Sequence, residues 1–442
     1  MQITQLTQKS IIKLSKYKNE PKWVLDFRLK SLQAFLAKPF PNWGPNLKNL
    51  QKQFKQNKII FFNDVAPKPW NKWEDIPDKL KRFFESIKIP EAEKKFLTGV
   101  ELQYDSSTIY STLKTYLKNQ GVIFTDIDTA IQSYPNLVQE YFASVVDFDD
   151  NKFASLNGAV FSGGSFLYVP KNVKLSLPLH AFFYINHPGL AQFERSLIII
   201  EQGSVAEYLE GCTAPLFSKN NLHSAVVEVI VKQNARFKYT TLQNWSPNVY
   251  NLTTQRAVVE QNAHMEWFDV NVGSKVTMKY PACILKGKNS TASTYSIGFA
   301  KNNQIQDTGA KMIHLAPNTK SQIISKAISL KNGINQYRGI CKITQPASKS
   351  SGTISCDSLL LHKTGKAGTL PVNIVQNKTS TLKHEAKITA LDDLSLSYLQ
   401  TRGISEKDAT NLITLGFLQA LSQHLPLEFA REFNALIKLA LD

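Results

Sequence analysis

A turn-like tetrapeptide recurs between strand patterns in the middle of this chain: Glu201-Gln-Gly-Ser204, Lys232-Gln-Asn-Ala235, Glu260-Gln-Asn-Ala263, Ala316-Pro-Asn-Thr319 and Gln376-Asn-Lys-Thr379. The starts lie 31, 28, 56 and 60 residues apart. The two long intervals are close to twice the short ones, so a coil of about 28 to 31 residues repeats with two degenerate copies. From Phe153 to about Ile388 the intervening runs are short, alternating and rich in Val, Ile, Phe, Tyr and Thr. A strand-rich chain that turns at this period stacks coil upon coil, and the pattern reads as a β-solenoid. A propeller or sandwich would need two-residue hairpin turns at shorter spacing, and few occur.

The flanks read differently. Asn19-Glu20-Pro21 places a cap and an N1 proline before Trp23, Val24, Phe27, Leu29 and Leu32, which are spaced near 3.6. The Pro/Trp-rich stretch Pro67 to Pro77 breaks the helical pattern, which resumes over Asp78 to Ile87 and Pro90 to Phe96. Tyr110 to Leu117 reads as a helix stopped by Asn119-Gln120-Gly121, and Ile127 to Phe142 as a helix interrupted at Pro135. Past Leu391, Asp392 or Asp393 caps a helix that runs to Gly403, Ser405 and Asp408 form a capping box before a second, and Pro426 opens a third. The expected organisation is an N-terminal helical or α+β region over residues 1–150, a solenoid core over 151–390 and a C-terminal helical domain over 391–442.

Composition matters where it excludes. No apolar run approaches the roughly 18 residues of a membrane span, and Met1 to Lys13 lacks the apolar segment of a secretory signal, so the expected setting is intracellular. The net charge is +17, and residues 1–100 hold 20 Lys and Arg against 9 Asp and Glu. These cations are dispersed through helix patterns, without a nucleic-acid-binding motif, and read as a solvated basic face. Four cysteines make neither a disulfide framework nor a ferredoxin-type ligand set.

Gln192-Phe-Glu-Arg-Ser-Leu-Ile198, Tyr208-Leu-Glu-Gly-Cys-Thr-Ala-Pro215, Leu242-Gln-Asn-Trp245, Lys279-Tyr-Pro-Ala-Cys-Ile-Leu-Lys286, Asp307-Thr-Gly-Ala-Lys-Met-Ile-His314, Cys356-Asp-Ser-Leu-Leu360, His384-Glu-Ala386 and Arg402-Gly-Ile-Ser-Glu406 carry a resemblance. Together they resemble the SufB/SufD family of iron–sulfur cluster scaffold proteins, SufB more closely. The resemblance implies a central right-handed parallel β-helix, a helical N-terminal region and a C-terminal helical domain that docks the ATPase SufC. It further implies a transient cluster built at the interface of two β-helix subunits, a sulfur donor system, ATP used only through SufC, a flavin in some complexes, and a bacterial cytoplasmic or plastid-type location. The implied role is that of a scaffold and not of an enzyme in its own right.

Carried over residue by residue, the resemblance makes Cys212 the sulfur-accepting cysteine, with Asn186, Gln243 and Trp245 lining the path beyond it. His384 and Glu385 match the pair at the cluster-assembly site, and imidazole and carboxylate both bind iron. The departures are Tyr184 and Gln255 where the family has path cations, Lys383 in place of a carboxylate, and Gly365 where it has the acceptor cysteine. Cys356, nine residues earlier, is the one thiol placed to take over. A SufD-like supporting subunit, or a divergent paralogue without its own cluster-ligating cysteine, is therefore the alternative within the family.

The residues also have plainer readings. Cys283 and Cys341 sit in apolar strand patterns and are expected in the core, and His264, His314 and His362 lack metal-ligand spacing. Adjacent His384 and Glu385 point to opposite faces of a strand, so one of them at most faces a given surface. No phosphate-cradling GxxxxGK[ST] loop occurs, so any ATP dependence belongs to a partner. A β-solenoid acting on polysaccharide is the alternative from another class.

Overall fold

Six corners of the solenoid hold their third tetrapeptide residue in the left-handed region: Gly203, Asn234, Asn262, Asn289, Asn318 and Lys349, with φ between 52° and 70°. Asparagine and glycine enter this region at least cost, which is why they recur there. The two degenerate copies are thereby located at Gly287-Lys-Asn-Ser290 and Ala347-Ser-Lys-Ser350. Successive corner amides also stack: Asn289 Nδ2 donates to Asn262 Oδ1 (2.9 Å), and Asn262 Nδ2 to Asn234 Oδ1 (3.0 Å).

A computed structural model describes residues 1–64, 99–425 and 427–441. It is mainly β, a parallel solenoid of about 8 turns with helices at both ends of the chain. Each coil gives one strand to each of two sheets. One sheet stacks Gly99–Tyr104, Leu179–Tyr184, Val205–Thr213, Arg236–Trp245, His264–Gly273, Thr291–Ala300, Lys320–Ser329, Ser351–Leu360 and Thr381–Ala390 in parallel. The facing sheet runs from Ser165–Val169 through Arg195–Ile200, Val226–Val231 and Val249–Val259 to Lys366–Val375. Antiparallel partners occur at the N-terminal end, where Ser107–Leu113 pairs with Gly99–Tyr104 and Ile123–Asp126 with Ser165–Val169.

Inward side chains such as Tyr208, Tyr239, Trp267, Ile323 and Ile354 fill the lumen, while the helices cover the outer faces. Helices Gln8–Tyr17, Lys22–Ala37 and Lys48–Lys55 place Ile11, Leu14, Leu32, Phe35 and Leu50 in one cluster with Tyr250, Leu252, Val276 and Met278. Helices Glu406–Ser422 and Leu427–Leu441 place Leu418, Leu421, Phe433 and Ile437 against Phe268, Val270, Ile297 and Phe299 of the other sheet. Asp392 caps its helix as expected, accepting from the N–H groups of Leu394 and Ser395; Ser405 caps the next by accepting from Asp408 N–H, but the reciprocal half of the capping box is absent among the described residues, because the Asp408 carboxylate takes the Ser405 hydroxyl instead.

Three local readings change. Pro21 is the N-cap and not the first helical residue, since Asn19 turns at φ 53° just before it. Residues 110–113 are strand, and the helix after them is only Thr115–Asn119. Lys152–Val160, within which the strand pattern was expected to begin, is a helix because Asn151 caps it, accepting from the N–H groups of Phe153 and Ala154 (both 3.0 Å). The expectations for Pro67 to Pro77, Asp78 to Ile87, Pro90 to Phe96 and Pro426 lie outside the described residues.

Candidate functional site

Parallel register threads one file of inward positions along the lumen: Glu101, Ala181, Glu210, Thr241, Asp269, Ser296, Ser325, Cys356 and Ala386. Six of its nine members are polar or acidic and Cys356 adds a thiol, unusual for a solenoid interior, where a buried polar group costs unless it is hydrogen-bonded. Two residues along, Cys212 pairs in register with Gln243.

Around Cys212 the polar groups are tied together. Gln243 Oε1 accepts from Asn251 Nδ2 (2.5 Å), Asn251 Oδ1 is 2.8 Å from His223 Nδ1, and His223 Nε2 stands 3.0 Å from Glu194 Oε2. Trp245 lies on the His223 ring, with centroids 4.7 Å apart. Cys212 Sγ is 3.6 Å from Glu210 Oε1, and Tyr239 Oη donates to the other oxygen of that carboxylate. Further along, Lys279 Nζ donates to Thr241 Oγ1 (2.8 Å) and is ion-paired with Asp269. Glu194, Glu210, Cys212, His223, Gln243, Asn251, Asp269 and Lys279 are all buried.

This setting does not activate the thiol. Burial, and then the neighbouring carboxylates Glu210 and Glu194, push Cys212 well above the ordinary thiol range, and Lys279 offsets only part of that. Burial drives the Glu210 carboxyl upward too, against the opposing pull of Lys279 and the Tyr239 hydroxyl. For His223 burial opposes the charge, but Glu194 and the hydrogen bonds outweigh it and raise the imidazole.

Gln243 thus lies opposite Cys212 on the next strand and Trp245 on the His223 ring of the hydrogen-bonded chain that Gln243 begins, whereas Asn186 sits in the loop after Leu179–Tyr184, where its N–H donates to Asp105 Oδ1 (2.6 Å). Tyr184 has the opposite parity to the lumen file and lies on Tyr104, with centroids 5.5 Å apart. Gln255 is buried, and its Oε1 has no partner among the described residues. The lumen does hold a cation, Lys279, which sequence reading passed over. The signal was parity: within Val276–Lys279, Thr277 and Lys279 alternate with the apolar Val276 and Met278.

At the other end of the file, Cys356 Sγ lies 3.9 Å from His384 Nε2, and Asn373 Nδ2 is 3.1 Å from His384 Nδ1. His384 pairs in register with inward-facing Ile354, so Glu385 points to the outer, exposed face and does not share the thiol's surroundings. Burial pushes the Cys356 thiol up to about 12 and lowers the half-buried His384, which leaves a neutral imidazole as donor at pH 7. These residues occupy the last two coils, where among the described residues no further strand stacks on Lys366–Val375 or Thr381–Ala390, and Leu370, Val372, Ile374, Val375 and Ile388 are exposed. Among the described residues no group of three or more His, Cys, Asp or Glu is arranged to hold a metal ion.

Gly365 has a structural explanation. It closes a second series of corners: its N–H donates to His362 O (2.9 Å), as Gly333 N–H does to Leu330 O (2.9 Å) one coil earlier. A Cβ on Gly365 would stand 2.8 Å from Ser329 O of the coil beneath, a contact that real Cβ atoms do not make. Gly365→Cys is therefore expected to lower stability by about 1–3 kcal/mol, measured by denaturant unfolding. An unchanged midpoint would show that the corner relaxes freely.

Cys283 and Cys341 are fully buried in the lumen core. His314 is held by Thr319 Oγ1 (2.8 Å) and Ser321 Oγ (2.9 Å), and His264 by Thr291 Oγ1 (2.8 Å), so each has a structural partner.

The sequence is 48% identical over 437 residues to the iron–sulfur cluster assembly SufBD family protein of Staphylococcus epidermidis, covering 99% of this chain and 93% of that one. The corresponding protein of Staphylococcus aureus matches at the same identity and coverage. A family model described as the SufBD core domain of the SUF system for FeS cluster assembly matches residues 183–417. The chain belongs to the SufBD family. A second model, the SufBD N-terminal region, matches residues 94–180 of this SufBD protein. The core match therefore begins in the strand Leu179–Tyr184 and takes in both the Cys212 network and the Cys356–His384 contact.

Proposed function

We propose that this SufBD protein is a subunit of a SufBCD-type complex that assembles a transient iron–sulfur cluster where two solenoids meet. The observation that carries this reading is the Cys356–His384 contact on the open last coil. A thiol and a neutral imidazole are both iron donors, and a second subunit would complete the ligand set. The exposed Leu370, Val372 and Ile388 supply apolar area for that subunit. On the C-terminal helices, Leu394, Tyr398 and Leu412 are exposed at 79%, 60% and 53%, and a SufC-type ATPase docked there would cover them. ATP enters the cycle through that partner.

Cys212 is the proposed sulfur acceptor. Its network is five coil steps from the Cys356 row, about 24 Å at the spacing of stacked strands, so the two thiols cannot exchange sulfur directly. Releasing that sulfur from a Cys212 persulfide as hydrosulfide breaks the S–S bond and takes two electrons from an external thiol or other reductant, and the polar file Thr241, Asp269, Ser296, Ser325 is the route the register offers it.

The test is anaerobic reconstitution with iron and sulfide in the presence of a SufC-type ATPase and a second SufB/SufD-type subunit, read by visible charge-transfer absorbance. Cys356→Ser is expected to lower cluster yield about ten-fold, His384→Ala several-fold, and Cys283→Ser not at all. The supporting, SufD-like reading is favoured by the closed corner at Gly365 and by the unactivated thiol of Cys212. If Cys212→Ala and Cys356→Ser both assemble clusters at the wild-type yield, that second reading replaces the first.

A further inference from the structure

Away from the lumen, a cavity of about 370 Å³ opens between the N-terminal region and the outer face of the solenoid. Trp43 and Tyr280 form one wall, with ring centroids 5.9 Å apart, and Trp43 is half exposed. The Tyr280 hydroxyl donates to Asp307 Oδ1 (2.7 Å), and Arg338 also binds that carboxylate, so both ring and acid are fixed.

The charge in this cavity is unbalanced. Lys152, Arg256 and Lys311 line it, and Asp150 is the carboxylate among them. Arg256 takes Asp150 at 2.7 Å. Lys152 Nζ donates to two helix-end carbonyls, Phe35 O (2.7 Å) and Lys38 O (2.5 Å), and has no carboxylate partner among the described residues. Lys311 Nζ lies 5.6 Å from the Tyr280 ring centre and likewise has no carboxylate within ion-pair distance among the described residues. Burial and the proximity of Arg256 lower Lys311 against the pull of Asp150, and burial lowers Lys152. Three partly buried cations that share the one lining carboxylate, Asp150, leave an excess of positive charge that favours a bound anion. The cavity volume is that of a small-ligand site, and its aromatic wall suits a flat ring.

We propose that this cavity binds a small planar aromatic phosphomonoester, its ring against Trp43 and Tyr280 and its dianionic phosphate at Lys311 and Arg256, with Lys152 completing the charge. The site uses neither the lumen file nor the last coil, and Gln255, which stands where the family has a path cation, is a lining residue that it shares with the cluster-assembly reading.

The experiment is isothermal titration of the full chain with four probes: AMP, 1-naphthyl phosphate, adenosine and inorganic phosphate. One AMP or naphthyl phosphate is expected to bind per chain with a submillimolar Kd, and adenosine and inorganic phosphate at least about ten-fold more weakly. Trp43→Ala and Lys311→Met should each weaken the ring phosphates about ten-fold, with thermal unfolding of each variant recorded to separate a folding loss from a binding loss. Binding of AMP without naphthyl phosphate narrows the ligand to a nucleotide. The proposal is overturned if neither ring phosphate binds saturably, or if both folded variants bind as the parent does.

Discussion

Lys279→Met is expected to destabilise the solenoid by about 3–5 kcal/mol. Lys279 is fully buried; its ammonium is ion-paired with Asp269 and donates to Thr241 Oγ1, while Asp269 Oδ2 accepts from Asn271 Nδ2 (2.7 Å). Removing the ammonium alone strands a carboxylate in the lumen with only neutral donors, and that uncompensated charge, not the lost attraction, dominates the cost. The double variant Lys279→Met with Asp269→Leu should therefore recover most of the loss. Denaturant unfolding of the parent, both single variants and the double variant closes the cycle. A single-variant loss below about 1 kcal/mol would mean that water reaches the pair. The same substitution removes the cation that opposes the upward shift of Cys212, so its thiol should become still slower to alkylate in the native state.

How far the fold could be read depended on whether the signal was local. The corner tetrapeptides are local: a left-handed residue is needed at their third place, and asparagine, glycine and, once, lysine supply it, so coil length was legible and even the degenerate corners fell where the doubled intervals put them. Caps are local too, and Asp392 and Ser405 behave accordingly. The lumen network is not local. Gln243 and Cys212 are 31 residues apart and meet only because the coil between them has that length, while Lys279 reaches Thr241 across 38 residues. The family resemblance flagged Cys212, Gln243 and Trp245, but Glu194, His223, Asn251, Asp269 and Lys279 needed the register. The Cys356–His384 contact is another case: each residue was noted alone, and a coil that sets His384 opposite Ile354 brings it diagonally to Cys356, 28 residues away. Lys152–Val160 misled for a different reason, since its apolar residues are buried all round between the sheet and the N-terminal helices, which erases helical periodicity.

Glu101 heads the lumen file and gives the second large effect, a pH dependence of stability. It is fully buried; one carboxyl oxygen accepts from Ser165 Oγ (2.7 Å), whose oxygen is also 2.8 Å from Tyr208 Oη, and the other has no partner among the described residues. Burial first, then the charge of Asp126, pushes this carboxyl from 4.5 up to about 8, so at neutral pH the folded chain holds a proton that the unfolded chain has released. The sign follows from linkage: the folded state binds more protons between the two values, so the Glu101 contribution is fully present below about pH 4.5 and is lost as pH rises to about 8. At about 1.4 kcal/mol per unit, the whole window is worth roughly 5 kcal/mol. Glu101→Gln keeps an acceptor for Ser165 and removes the titration. It is therefore expected to match the parent near pH 5 and to exceed its stability by a few kcal/mol near pH 8.5, with the difference growing through the window. Denaturant midpoints of both proteins at several pH values measure this, and parallel profiles would show that Glu101 ionises freely in the native chain.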